Sequence, residues 1–293
     1  MDINKIPELE DLIQMTSDDY IKLFDDPAQV VPLPTLADDK VVNTPAFHTG
    51  FPTFDSAMRG GMRGGDLIVV SGISGMGKTS FVQSIIYNLT KQGVSTVLFS
   101  YEVTPARLHE KFLMMGMEKD YIGIYAPKKN ESGDVTWIKE RIIEAKKRYD
   151  THVVAIDHLG FLSPSEVKTS DNQMIQLQKI ARELKQLALE LDMVIILIAH
   201  VKKVERETEP TMNDIASSSG IFQEADQVFM VHRLTVDQHN GKSTKTFSQH
   251  ATSNWNDEDI YSSFNSIRLL KNRLTGETKK IKAELRDQRF IQC

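Results

Sequence analysis

The sequence has a single cysteine, Cys293, in 293 residues. One cysteine cannot form a disulfide within the chain, and it cannot supply the repeated thiolates of a cysteine-based metal site. The sequence also lacks a run of 18 apolar residues, and its acidic start lacks the basic-then-apolar order of a signal peptide. We therefore expect a protein without redox chemistry or a membrane partner, located in the cytoplasm, or in the host cytoplasm if the source is viral.

An excess of basic residues is absent as well. The chain has 35 Lys and Arg residues against 40 Asp and Glu residues, a formal net charge of -5. Any nucleic-acid contact should therefore be confined to a local patch such as a channel. With 40% hydrophobic and 26% charged residues, the composition is that of a globular protein with one sizeable α/β domain and a small appendage.

The stretch Gly-Ile-Ser-Gly-Met-Gly-Lys-Thr at 72–79 matches the phosphate-loop pattern G-x-x-x-x-G-K-[ST] at every fixed position. Its glycines allow successive backbone amides to point into one concavity that accepts phosphate oxygens. Lys78 can reach the β- and γ-phosphates, and the Thr79 hydroxyl can ligate the Mg²⁺ that bridges them. We predict that ATP, or another nucleoside triphosphate, and Mg²⁺ are bound by Gly72, Ser74, Gly75, Met76, Gly77, Lys78, Thr79 and Ser80.

Apolar runs alternate with amphipathic segments from residue 66 onward, which predicts an α/β fold with a mostly parallel central sheet flanked by helices. Before it, apolar residues at helical spacing are followed by several prolines, which indicates a short N-terminal helical extension and linker. This extension either packs on its own domain or docks on a neighbouring subunit. The predicted domains are 1–45 and 46–293. Strands are predicted at 66–71, 96–100, 122–125, 152–157, 194–199, 227–233, 266–271 and 280–285, and helices at 78–92, 105–117, 134–149 and 172–191.

Three predicted strands lead to residues that can act on a nucleotide: Glu102, Asp157 and His200. The carboxyl ends of parallel strands meet at one edge of a sheet, where ligands bind. Asp157 is suited to hold Mg²⁺ opposite the hydroxyl of Thr79. Glu102 is a candidate general base for the attacking water, or alternatively a solvated or helix-capping glutamate. His200 either senses the γ-phosphate through a hydrogen bond or is a structural histidine.

Two basic segments follow predicted strands. Lys202, Lys203 and Arg206 lie in a long polar loop directly after His200, where they could grip a phosphate backbone; a solvated surface loop is the alternative. Lys271 and Arg273 come just past a later strand. A guanidinium from a neighbouring subunit can stabilise charge on the γ-phosphoryl group, whereas a basic hairpin turn would have no such role.

Taken in order, these motifs resemble the ATPase domain of the DnaB-type hexameric replicative helicases, a RecA-like group of helicase superfamily 4 that includes bacteriophage helicases. The resemblance covers roughly residues 45 to 290. Besides the phosphate loop, it rests on Gly-Phe-Pro-Thr-Phe-Asp at 50–55, Ser-Tyr-Glu-Val-Thr at 100–104, Ile-Asp-His-Leu-Gly at 156–160, Ala-His-Val-Lys-Lys at 199–203, Pro-Thr-Met-Asn-Asp-Ile at 210–215, Ser-Gly-Ile-Phe-Gln-Glu-Ala-Asp at 219–226 and Lys-Asn-Arg-Leu-Thr-Gly at 271–276.

The resemblance implies a RecA-like P-loop NTPase core and an ATP-driven, hexameric DNA helicase that moves 5′ to 3′ on single-stranded DNA in replication. It also implies roles for individual residues. Glu102 would be the catalytic base, and Arg273 would be an arginine finger donated across the subunit interface together with Lys271. His200 and Gln223 would sense the γ-phosphate, and Arg233 would lie near the nucleotide base. The DNA contacts would come from Lys202, Lys203, Arg206 and Asn213.

The sequence departs from the family in two ways. Ala216-Ser217-Ser218 stands where bacterial members often have an arginine, so the DNA grip would rest on Lys202 and Lys203. The residues before the ATPase domain leave no room for a primase or primase-binding domain, so a primase, loader or polymerase would be a separate partner. The alternative function is a RecA-like ATPase resembling KaiC or RadA, which binds DNA or proteins without unwinding. A monomeric P-loop kinase would leave Lys271 and Arg273 unexplained.

Overall fold

The computed structural model describes residues 45–128, 134–162, 173–200, 209–210, 219–235 and 261–293. Pro45–Cys293 form one compact unit. The strands are β1 (Leu67–Gly72), β2 (Thr96–Ser100), β3 (Ile124–Tyr125), β4 (Val153–Asp157), β5 (Val194–His200), β6 (Gln227–Thr235), β7 (Tyr261–Asn272), β8 (Lys279–Arg286) and β9 (Arg289–Gln292). The helices are α1 (Pro52–Ala57), α2 (Lys78–Lys91), α3 (Pro105–Met114), α4 (Val135–Tyr149), α5 (Gln173–Leu191) and α6 (Ser219–Glu224).

The nine strands of the described ranges form one sheet in the order β3-β2-β4-β5-β1-β6-β7-β8-β9. The pairings from β3 to β6 are parallel, and those from β6 to β9 are antiparallel. β1 lies between β5 and β6, so its carboxyl end is within the parallel part of the sheet. That is the edge at which an open α/β sheet binds its ligands.

The central strands are apolar along their whole length because helices cover both faces of the sheet. Successive side chains of a strand point to opposite faces. On one face, Ile68 and Val70 of β1 share a hydrophobic cluster with Phe81 of α2. On the other face, Leu67 and Val69 belong to a second cluster that includes Leu184 of α5. Burial on both faces fixes the level of β1 and therefore the place where the phosphate loop begins.

β9 returns to the helix that follows the phosphate loop. The backbone N–H of Phe290 donates to Ser84 Oγ of α2 at 2.9 Å. The Gln292 side chain donates to Thr53 Oγ1 of α1 at 2.7 Å. The antiparallel end of the sheet is thereby attached to the elements that carry the loop.

The structure confirms the predicted fold class, with a mostly parallel sheet flanked by helices, and it contains all the predicted helices and strands. β7 is longer than predicted because its first residues pair with the end of β6, a contact that no local pattern reveals. α1, α6 and β9 were not predicted, since elements of four to six residues are too short for a readable period. The division at residue 45 remains a prediction, because 1–44 lie outside the described residues.

Within the described ranges, no helix is both long enough and apolar enough to cross a bilayer.

Candidate active site

The phosphate loop connects β1 to α2 and depends on glycine at both ends. Gly72 has φ 152°, and a Cβ there would lie 2.3 Å from the backbone oxygen of Val231. Gly77 has φ 93°, and a Cβ there would lie 3.0 Å from the ring of Phe290. The loop therefore packs too tightly against β6 and β9 to accept a side chain at either position. It leads directly into the N-terminus of α2, which carries a partial positive charge suited to phosphate.

Lys78 is the first residue of α2, and only 5% of it is exposed. Its Nζ donates to the backbone oxygen of Ile73 in the loop at 2.9 Å. Burial lowers the pKa of Lys78 to about 8, although the nearby carboxylates of Asp157 and Glu102 act in the opposite direction. A phosphate oxygen would supply the negative charge that this buried ammonium group lacks.

Thr79 and Asp157 are joined across the sheet edge. The Thr79 hydroxyl donates to Asp157 Oδ2 at 2.9 Å, and Asp157 is only 2% exposed. Burial raises the pKa of the Asp157 carboxyl, an effect that the Thr79 hydrogen bond partly offsets. A hydroxyl and a buried carboxylate side by side are hard oxygen donors of the kind that Mg²⁺ prefers. These two residues therefore fit the predicted metal.

Glu102, His158 and His200 form a cluster at the same edge, with one possible ligand atom of each within 4.8 Å of the others. Glu102 Oε1 lies 3.2 Å from His158 Nε2, and the two imidazole rings meet edge-on with centroids 4.4 Å apart. Burial lowers the pKa of His200 to about 4, helped by the charge of Lys78 and by His158. At pH 7 His200 is therefore neutral and retains one N–H that could donate to a γ-phosphate oxygen.

Two further polar residues support the loop and were missed from the sequence. Asn265 of β7 is buried, and its Nδ2 donates to the backbone oxygen of Met76 at 2.8 Å. Lys111 of α3 lies 3.4 Å from Ser80 Oγ; burial lowers its pKa, against the effect of Asp157. Neither residue belongs to a recognisable motif. Only the pairing of β7 with β6 and the packing of α3 bring them to the site.

Lys271, Arg273 and Gln223 lie at the other end of the sheet. Asn272, at the end of β7, pairs with Gln227, which in turn pairs with Ile68 near the start of β1. Lys271 Nζ donates to the backbone oxygens of Phe222 at 2.8 Å and Gln223 at 3.2 Å. Arg273 also donates to the Gln223 oxygen and forms an ion pair with Asp226 at 3.4 Å. Within one chain, Gln223 is thus grouped with the two cations and is separated from His200.

Asp226 anchors this second group. Its Oδ2 accepts from the backbone N–H of Leu67 at 2.8 Å and from Lys185 Nζ at 2.6 Å. Burial lowers the pKa of Lys271, and Arg273 lowers it further, whereas Asp226 and Glu224 act in the opposite direction. The arrangement holds two cations at the edge of the sheet where the parallel strands begin.

The remaining predicted residues fall into two sets. Arg233 lies near the end of β6, three positions beyond Met230, which pairs with Ser71 at the start of the phosphate loop. Its Nε donates to the backbone oxygen of Ser262 at 2.8 Å. Arg233 is therefore on the nucleotide side of the sheet. The predicted DNA-binding residues Lys202, Lys203, Arg206 and Asn213 lie outside the described residues.

Sequence comparison gives a match to a known family. Residues 46–122 and 124–290 match the DnaB-like helicase C-terminal domain. A probable replicative DNA helicase of Trieres chinensis is 28% identical over 63% of this chain and 47% of its own length. The replicative DNA helicase DnaC of Bacillus subtilis is also 28% identical, over 63% of this chain and 46% of its own length. The chain thus spans about half the length of the curated relatives that it matches.

Comparison of folds agrees. A DnaB-like replicative helicase, whose structure was described with its interactions with primase, superimposes with a TM-score of 0.67 at 18% identity, covering 94% of this chain and 70% of that one. A separately solved ATPase domain superimposes with a TM-score of 0.68 at 19% identity, covering 85% of this chain and 92% of that one. The sheet and its flanking helices therefore have the fold of a helicase ATPase domain.

The contact between Asn265 and the phosphate loop predicts a selective effect on nucleotide affinity. Asn265→Leu should weaken binding of an ATP analogue about 5- to 20-fold, because the Met76 carbonyl loses its donor and an unsatisfied buried group costs about 1–3 kcal/mol. Asn272→Leu is the matched control, because Asn272 lies on the same strand and donates to the buried oxygen of Ala57 at 3.0 Å, far from the loop. Equal affinities of the two variants in fluorescence titration would contradict a role for Asn265 in loop geometry.

The lowered pKa of Lys78 predicts proton uptake on nucleotide binding. Free protein loses the Lys78 proton as pH rises through about 8, whereas phosphate contact favours the charged form and raises the pKa again. ATP binding near pH 8.5 should therefore take up a fraction of a proton, and affinity should fall as pH rises further. Titration calorimetry in buffers of different ionisation enthalpy measures this uptake. It should persist in Lys91→Met, at the other end of α2, and an uptake that also persists in Lys78→Met would refute the assignment.

Proposed function

The chain belongs to the family of DnaB-like helicase C-terminal domains, and from this premise we propose that it is the ATP-hydrolysing motor of a replicative DNA helicase. The motor forms a hexameric ring that moves 5′ to 3′ along single-stranded DNA. It acts in the cytoplasm with ATP and Mg²⁺, together with a separate primase, loader or polymerase.

The observation that carries this proposal is the convergence of four groups at one sheet edge. The phosphate loop follows β1, Glu102 follows β2, Asp157 ends β4 and His200 ends β5. Thr79 and Asp157 are 78 positions apart in sequence, and their side chains meet at 2.9 Å. A binder of nucleotide alone would need the loop but would not need a carboxylate such as Glu102 beside it.

Hydrolysis then follows from the roles of this chain's residues. The loop amides and Lys78 hold the β- and γ-phosphates, and Thr79 with Asp157 holds Mg²⁺. When bound, Mg²⁺ bridges the β- and γ-phosphate oxygens and neutralises developing charge. Glu102, 44% exposed at its side chain, accepts a proton from a water molecule as that water attacks the γ-phosphorus. The bond between the γ-phosphorus and the bridging oxygen breaks, and ADP and phosphate result.

A second set of residues serves the neighbouring subunit. Lys271, Arg273 and Gln223 are held together at the edge opposite the phosphate loop, so they suit a site formed head-to-tail between two copies of the chain. Arg273 is the arginine finger of this interface, and Gln223 contributes from the same side. Their fixed place beside Asp226 supports this role, because a finger is effective when it is held in position before the nucleotide arrives.

DNA is gripped by the loops that leave the nucleotide edge. Lys202, Lys203 and Arg206 follow His200 directly in sequence, and Asn213 lies further along the same segment. His200 reads the γ-phosphate, so the loop that follows it responds to the nucleotide state. Cations confined to this segment suit a chain whose net charge is -5, since a channel can be basic while the outer surface is acidic.

The first test separates binding, hydrolysis and unwinding. Glu102→Gln should keep ATP-analogue affinity within about twofold and lower the turnover rate about 10²–10⁴-fold, the usual effect of losing a general base. Glu118→Gln, the same change at an exposed position, is the control. The wild-type protein should hydrolyse ATP faster with single-stranded DNA and displace a strand from a fork. DNA-stimulated hydrolysis without displacement would instead support the RecA-like ATPase that does not unwind.

The second test addresses the shared site. Arg273→Ala should lower hydrolysis about 10³-fold or more, as loss of an arginine finger does. Mixed with Glu102→Gln protein, it should regain activity, because about one interface in four then pairs an intact Glu102 with an intact Arg273. Arg286→Ala, on an exposed arginine of β8, is the control. A mixture as inactive as its parts would contradict catalysis between subunits.

A further inference from the structure

The imidazole of His158 lies against the carboxylate of Glu102 at the nucleotide edge. The distance between His158 Nε2 and Glu102 Oε1 is 3.2 Å, which is within hydrogen-bond range. We propose that His158 is a positioning residue for the catalytic base: its Nε2–H donates to Glu102 and holds the carboxylate where it can accept the proton of the attacking water. The inference rests on the proposed function, since it presumes Glu102 as the base.

The protonation of His158 follows from its other contact. The backbone N–H of Gly160 donates to Nδ1 at 2.9 Å, so Nδ1 must be an unprotonated acceptor. A neutral imidazole with a bare Nδ1 carries its proton on Nε2. That proton faces Glu102 Oε1. The turn after β4 therefore selects the tautomer that can donate to the base.

The ring is also held in place from other sides. A Cβ on Gly160 would lie 2.7 Å from His158 Cε1, so this glycine makes room for the imidazole beside it. Phe161 packs against the ring with centroids 4.6 Å apart, and His200 meets it edge-on. His158 is only 15% exposed at its side chain, against 44% for Glu102. A packed ring beside a half-exposed carboxylate is the arrangement expected of a support.

A metal site formed by Glu102, His158 and His200 is the other use of the cluster, and the tautomer disfavours it. A metal bound at His158 Nε2 would require the proton on Nδ1, which would break the hydrogen bond from Gly160. A donor to the carboxylate preserves both contacts. The geometry thus favours positioning over ligation.

The consequence for catalysis is orientational. A half-exposed glutamate has several rotamers, and fixing it in one of them costs side-chain entropy. A base misplaced by about 1 Å can lose about 10²-fold in rate. Since the contact with His158 restricts Glu102 before ATP binds, its loss should affect turnover and leave nucleotide affinity unchanged.

Two substitutions divide the functions of the imidazole. His158→Asn keeps an oxygen at the position of Nδ1 to accept from Gly160, but it cannot reach Glu102. His158→Gln can place an amide N–H near the position of Nε2. We expect His158→Asn to lower kcat about 10- to 100-fold with KM and analogue affinity within about twofold, and His158→Gln to recover much of the loss. Melting temperatures of both variants check the turn itself.

A double-mutant cycle decides whether the effect acts through Glu102. In the Glu102→Gln background, His158→Asn should change the residual hydrolysis by less than about twofold, because residues that act as a unit are not additive. An equal loss in both backgrounds, or wild-type turnover of His158→Asn, would overturn the proposal. If Glu102→Gln itself hydrolyses at the wild-type rate, the proposed function loses its base. If Glu102→Gln is inactive and His158→Asn is normal, only the role of His158 fails.

Discussion

The parallel pairing of β1, β5, β4 and β2 is the constraint on which the site depends. Leu67 pairs with Ile195, Ile156 with Leu197 and Ser100 with Asp157, so the four strands end at closely similar levels. A shift of one residue in any strand would turn its buried side chains toward the opposite face, and the two apolar clusters oppose such a shift. Core packing therefore sets the positions of the polar residues at the edge.

The two ends of this sheet hold different kinds of charge. At the nucleotide end, Asp157 is buried beside Thr79, and its pKa is raised by the loss of water. At the other end, Asp226 is matched by Lys185 and by Arg273. The first end is therefore incomplete by itself, whereas the second is largely neutralised within the chain. Such a difference suits a chain that binds a charged ligand at one end and presents ordered cations at the other.

The sequence sufficed where function depends on consecutive residues. Gly72 to Thr79 could be recognised because the loop is local, and the strands could be predicted because burial on both faces makes them continuously apolar. Asp157 and Glu102 followed from a general rule about parallel strands. Asn265 could not be found this way, since its contact with Met76 depends on the pairing of β7 across the sheet. The position of Gln223 likewise depends on where α6 packs, which no motif specifies.

The contact between Asn265 and Met76 spans 189 residues, and Phe290 packs against Gly77 from still further along the chain. During synthesis the phosphate loop leaves the ribosome long before these partners exist. Its helix and strand can form early, but its final backbone shape is completed only when β7 and β9 have been made and added to the sheet. Nucleotide binding is thus a property that the nascent chain acquires late, and a partly made domain does not compete for ATP.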